Sequence, residues 1–223
     1  MTRKGLIFDF DGTMAHLFAK YDWKEKKTRL HDELAALGIW HSADAGIFAA
    51  FDSVHFQTQT NPELMKEGWR IVDRIITEAE MECAQEAVEI KGSRHILRKL
   101  SEEGWVLGVS TNNSEEAVRA WLDTNLPDLK MAVSGRIPGH PEALKPSPDS
   151  IVIAAGRMGI PLSSCTMIGD NPRDWEASCN AGIPFIAMSS TEKKYFRNKE
   201  MIPGVVQVRS FDELHELLTM ENR

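Results

Sequence analysis

From about residue 92 to the end, short apolar runs alternate with amphipathic stretches, and that rhythm leaves few architectures open. Trp105-Val106-Leu107-Gly108-Val109-Ser110 reads as a strand, with a helix before it near Ser93–Glu103 and another after it near Ser114–Thr124. A weaker strand follows at Lys130–Ser134, and Ser147-Pro148 starts a helix over Asp149–Met158. Cys165–Ile168, Pro184–Met188 and Val205–Val208 read as further strands, and Phe211–Met220 closes with a helix. Strands separated by helices of about 10–15 residues imply right-handed crossovers and a parallel sheet. The expectation is a doubly wound α/β fold, which places ligands beyond the carboxyl ends of its strands.

Residues 15 to about 91 break the rhythm. They are helix-rich by pattern, with candidate helices near Trp23–Leu37, Ser42–Gln57, Pro62–Met81 and Met81–Glu89, and no convincing β-branched alternation. We expect a core from residues 1–14 and 92–223, with 15–91 inserted as a helical cap hinged at Gly12 to Ala15 and at Gly92. The cap aromatics Trp23, Trp40, Phe48, Phe51, Phe56 and Trp69 read mostly as its own small core.

Four separate strand ends carry reactive residues. Leu6–Phe8 is a short apolar run ending in Asp9-Phe10-Asp11-Gly12-Thr13. Residues two apart in a strand point the same way, so both carboxylates face one spot where the strand stops. Two acids held together share a proton or bind a hard cation. Ser110-Thr111-Asn112-Asn113 ends the next strand, where a helix start offers N–H groups to an anion. Lys145 precedes a helix within Leu144-Lys145-Pro146, and Gly169-Asp170-Asn171-Pro172-Arg173-Asp174 follows the strand Thr166–Ile168. Taken singly, these are turn and cap residues, or a solvated lysine. Gathered at the ends of one parallel sheet, they form a site suited to Mg²⁺ and phosphate.

The four motifs, in this order and with a helical insert after the first, make the chain resemble the haloacid dehalogenase-like superfamily in its branch of capped phosphatases. The resemblance covers essentially the whole chain. Asp9-Phe10-Asp11-Gly12-Thr13 matches the phosphotransferase form of the first motif; the true dehalogenases lack the second aspartate. Thr111 matches the second motif, Lys145 the third, and Gly169-Asp170 with Asp174 the fourth. The resemblance implies Asp9 as nucleophile, forming an aspartyl-phosphate, and Asp11 as general acid and then base. It implies Thr111, Asn112 and Lys145 as holders of the phosphoryl oxygens. Mg²⁺ would sit on Asp9, Asp170, Asp174 and the main-chain carbonyl of Asp11. A phosphatase acting on phosphoglycolate, a sugar phosphate or a nucleotide is the leading expectation. A phosphomutase of the same family, or a non-catalytic module, is the alternative.

Other features set limits. A net charge of −7 argues against a general nucleic-acid or anionic-membrane binder. No apolar run approaches the roughly 20 residues that span a bilayer, and the start has no signal-peptide pattern. Three cysteines, Cys83, Cys165 and Cys179, lack metal-like spacing and suit a reducing compartment, so a cytoplasmic protein is expected. The acidic surface is compatible with a monomer, and the expected partner is a small phosphorylated metabolite. In the cap His16, His41, Trp69 and Arg70, and in the loop before Lys145 Arg136 and His140, are weaker candidates for substrate contact.

Overall fold

The computed structural model describes residues 4–42, 44–188 and 204–220. In chain order the elements are β1 (Gly5–Phe8), β2 (Ala15–His16), α1 (Lys24–Ala36), α2 (Ala49–Thr58), α3 (Pro62–Ala84), β3 (Val88–Glu89), α4 (Ser93–Glu102) and β4 (Val106–Ser114). They continue with α5 (Glu115–Asn125), β5 (Ala132–Arg136), α6 (Asp149–Met158), β6 (Cys165–Gly169), α7 (Pro172–Ala181), β7 (Phe185–Met188), β8 (Val206–Val208) and α8 (Phe211–Met220). Six strands form one sheet in the order β5-β4-β1-β6-β7-β8, every described pairing parallel. This is the expected doubly wound α/β core.

β1 shows why. All four of its residues are buried, as a central parallel strand requires. Leu6 and Phe8 point into the apolar cluster that holds Trp121 and Phe211, while Ile7 points into the cluster of Ile151, Met167 and Ala177 on the other face. The chain leaves β1 at Asp9, whose amide still donates to the Ile168 carbonyl at 2.8 Å.

Residues between β1 and α4 carry a third apolar cluster of their own, built from Leu30, Leu34, Phe51, Val54, Val72, Ile75 and Ile76. Trp23, Phe48 and Trp69 pack partly against it, but Trp40 and Phe56 are 66% and 72% exposed, so two of the six aromatics lie outside the core they were expected to build. The insert enters and leaves through β2 and β3, an antiparallel pair that its pattern did not reveal. α2 starts at Ala49 rather than Ser42, after a turn at Gly46, and α3 runs unbroken where two helices were expected. Asn61 caps α3 by accepting from the Leu64 amide at 3.2 Å, with Pro62 at its first position. No helix among the described residues is long and apolar enough to cross a membrane.

Candidate active site

The sheet order sets β4, β1 and β6 side by side, so residues distant in sequence meet above their carboxyl ends. Asp9, Asp11, Thr111, Asn112, Lys145 and Asp174 line one cavity of about 330 Å³, together with Phe48 and Asp52 from the insert. Every sequence-expected site residue except Asp170 borders it, and Asp170 stands in a carboxylate cluster with Asp9 and Asp174.

Lys145 is buried, not the solvated loop residue that its Pro-rich surroundings allow. Its Nζ donates to Asp9 Oδ1 at 2.6 Å, to Asp174 Oδ1 at 2.5 Å and to the Ser110 carbonyl at 3.0 Å. Burial alone favours a neutral amine, but the charges of Asp174 and Asp9 outweigh it and hold the Lys145 pKa above its ordinary value. The side chain is placed by its own backbone: its amide donates to Asn112 Oδ1 at 2.8 Å, which ties the lysine loop to the end of β4.

Asp174 closes a capping box at the start of α7, accepting from the Asn171 amide at 3.1 Å, so the same carboxylate anchors a helix and faces the site. Burial and the neighbouring Asp9 push its pKa up against the pull of Lys145. Burial first, then the charges of Asp9, Asp174 and Asp11, push Asp170 up to about 8, while the Thr13 hydroxyl, donating at 3.2 Å, opposes the rise. One ligand oxygen from each of Asp9, Asp170 and Asp174 lies within 4.8 Å of the others. A cluster of acids this crowded, oxygen-only and partly desolvated, fits a hard divalent cation, whose charge would relieve the repulsion. Gly12, at φ +100°, lets the chain pass Asp170, since a Cβ there would lie 2.4 Å from Asp170 Oδ2.

The Asp11 side chain is not in that cluster. Its Oδ1 accepts from the Leu17 amide at 2.9 Å, next to β2 where the insert begins. Thr111 Oγ1 donates to Asn113 Oδ1 at 2.9 Å and accepts from the Asn113 amide at 3.2 Å. The strand runs on through Ser114, which caps α5, so the helix start lies beyond Thr111 rather than at it.

Of the weaker candidates, Trp69 borders a second cavity of about 820 Å³ that shares Phe48, Asp52 and Lys145 with the first. His41 is buried inside the insert against Ser53, its pKa lowered by burial. Arg70 pairs with Glu67, and His140 with Glu142, both at the surface. Arg136 is buried in ion pairs with Asp73 and Glu80 and borders neither of these two cavities. Phe48, Asp52, His55 and Arg173 border the cavities without having been singled out for the site; nothing in a single sequence marks which residues of an insert or of a helix start line a cavity.

Comparison with known proteins agrees with this geometry. A family model described as haloacid dehalogenase-like hydrolase matches residues 6–188. The chain belongs to that family. It is similar to a phosphoglycolate phosphatase of Rhodospirillum rubrum, with 26% identity across 96% of this chain and 89% of the other. Among solved structures it resembles CbbY from Rhodobacter sphaeroides in complex with phosphate (18% identity, TM-score 0.63, 96% of each chain). A CbbY variant solved with xylulose-(1,5)bisphosphate is similar at 18% identity and TM-score 0.61, again over 96% of each chain. A hydrolase of the same superfamily from Ehrlichia chaffeensis matches over 100% of both chains at 16% identity and TM-score 0.62. The solved structures establish the fold; the family and its phosphatase relatives make this chain a phosphoric monoester hydrolase.

Proposed function

We propose that the protein is a Mg²⁺-dependent, cytoplasmic phosphatase that hydrolyses a small phosphorylated metabolite through an aspartyl-phosphate on Asp9. The observation that carries this reading is the meeting of Asp9, Asp11, Thr111, Asn112 and Lys145 around one cavity at the carboxyl end of the sheet. Residues 15–91 act as its cap, contributing Phe48 and Asp52 to the wall where the leaving group sits.

Asp9 attacks phosphorus, the ester P–O bond breaks, and Asp11 gives its proton to the departing alcohol. Asp11 then takes a proton from water, which attacks the phosphorus of the aspartyl-phosphate and frees Asp9 and inorganic phosphate. Thr111, the Asn112 amide and the Lys145 ammonium hold the phosphoryl oxygens as charge builds there. Asp9, Asp170, Asp174 and the Asp11 carbonyl are the residues that would hold Mg²⁺, which when bound supplies positive charge to the phosphoryl oxygens. Phosphoglycolate, sugar phosphates and nucleoside monophosphates are the substrate classes to compare. The R. rubrum relative favours the first of these, and the larger second cavity leaves room for the others. The three cysteines, all free thiols, suit a reducing compartment.

The test is inorganic phosphate release from a panel of such monoesters, with and without Mg²⁺, beside Asp9→Asn. Mg²⁺-dependent release by the native chain, absent in a folded Asp9→Asn variant, is the expected result. Native-like turnover by the variant would remove Asp9 from the mechanism.

A further inference from the structure

The most connected polar group outside the catalytic cavity is Arg136, at the end of β5 and only 6% exposed. All five of its N–H bonds are used. Nε donates to Asp73 Oδ1 at 2.5 Å; Nη1 donates to Glu80 Oε1 at 3.0 Å and to the Asn112 carbonyl at 2.9 Å. Nη2 donates to Thr77 Oγ1 at 2.8 Å and to Glu80 Oε2 at 3.1 Å. Asp73, Thr77 and Glu80 lie on one face of α3, spaced four and then three residues apart. The remaining carboxylate capacity is used too. Asp73 accepts from the Gly139 amide at 3.0 Å, and Glu80, fully buried, accepts from Asn113 Nδ2 at 3.0 Å and from the Ser114 amide at 2.9 Å.

Two bonded routes therefore lead from this cluster to the end of β4, the segment expected to hold phosphate. One runs from Arg136 to the Asn112 carbonyl, and the other from Glu80 through Asn113 to the Thr111 hydroxyl. This end of β4 is also pressed against β5, where a Cβ on Gly135 would meet the Asn113 carbonyl at 2.7 Å. Arg136 also lies 6.0 Å from the ring of Phe48, which with Asp52 is a residue of the insert that borders both cavities. A buried ion cluster is weak evidence for stability, because well-packed apolar side chains often serve as well. Its worth lies in fixing geometry: the bonds here that leave α3 end on Arg136 of β5, on the Gly139 amide just beyond it, and on Asn113 and Ser114 at the end of β4.

We propose that Glu80 and Arg136 are positioning residues for catalysis. Glu80 reaches in from α3 of the insert and Arg136 from β5, and together they set the Thr111–Ser114 end of β4 in its phosphate-holding geometry, so this segment is in place only while α3 is seated on the core. This rests on the phosphatase reading above for its catalytic consequence, but not for the segment's order.

The experiment compares the native chain with Glu80→Gln, Asn113→Ala, the double variant and Arg136→Lys, measuring four quantities. These are kcat and KM for para-nitrophenyl phosphate with Mg²⁺, the inhibition constant of inorganic phosphate, and hydrogen exchange of the 111–114 amides without ligand. Glu80→Gln keeps the shape and is expected to lower kcat/KM by at least about tenfold and to weaken phosphate inhibition. The double variant should lose no more than about threefold beyond the worse single one, since both act along one route. Arg136→Lys, a charge without the planar fork, should fall with Glu80→Gln rather than with the native chain. Exchange of the 111–114 amides should quicken in Glu80→Gln while β6 stays protected. Losses that multiply in the double variant, or an unchanged segment in a folded Glu80→Gln, would overturn the proposal. If the native chain releases no phosphate, the phosphatase reading fails, and the exchange measurement alone decides whether α3 holds the segment.

Discussion

Lys145 holds two carboxylates that would otherwise repel each other inside a buried site. Removing it leaves Asp9 and Asp174 uncompensated and, on the function proposed above, strips a charge from the phosphoryl oxygens. Lys145→Ala is expected to reduce phosphate release by at least about 10²-fold, close to 3 kcal/mol in the barrier. Lys145→Arg should not restore it, because a planar guanidinium cannot take the place of a compact ammonium bonded to three oxygens. Steady-state kinetics on the preferred monoester checks both; unchanged rates would return the lysine to a structural role. At this scale the sequence was highly legible, because Asp9, Asp11, Thr111, Lys145, Asp170 and Asp174 are chemical types that need a reason to gather. Glu80, Asn113, Asp52 and Arg173 were not legible. Charged and amide residues on helices and loops are ordinarily solvated; only the packing shows that Glu80 and Asn113 are buried and that Asp52 and Arg173, though exposed, border the cavity.

Among the elements, α2 and α3 decide how the insert addresses the core. Gly68 of α3 sits where α2 crosses, and a Cβ there would lie 2.7 Å from Val54 Cγ1, a side chain with little rotamer freedom. Gly68→Leu is expected to destabilise the chain by about 1–3 kcal/mol in urea unfolding, through overpacking. Because α2 follows directly on Phe48 and carries Asp52 at the cavity wall, KM should rise as well. A variant with native stability and KM would show that the crossing tolerates expansion. The ends of α6 and α8 were readable to the residue, since proline, apolar periodicity and acidic first turns mark them. The start of α2 was not, because Ser42, Asp44 and Gly46 favour turns in a stretch whose hydrophobic pattern continues into the helix. β2 and β3, two residues each, are too short to leave any period in the sequence.

For the whole molecule, the Mg²⁺ site proposed above would link cation, proton and stability through Asp170. Its carboxyl moves from an ordinary 3.8 to about 8 in the folded chain. Between those values the folded state binds the extra proton, so stability of the cation-free protein falls as pH rises through that window. Mg²⁺ requires the deprotonated carboxylate, so its affinity should rise over the same range, with proton release on binding. The increase in Tm given by saturating Mg²⁺ is therefore expected to be larger near pH 8.5 than near pH 6, read by thermal unfolding with and without chelator. An increase independent of pH would dissociate Asp170 from the cation.

The central place of β1 also has a consequence for how the enzyme comes into being. Gly5 pairs with Val106 on one side and with Cys165 on the other, so the first strand made is flanked by strands made much later. Such long-range parallel pairing is slow to form and cannot be completed on a partly synthesised chain. Asp9, the proposed nucleophile, therefore lacks its neighbours until translation has passed β6, and activity should emerge abruptly, late in biosynthesis, rather than accumulate with chain length.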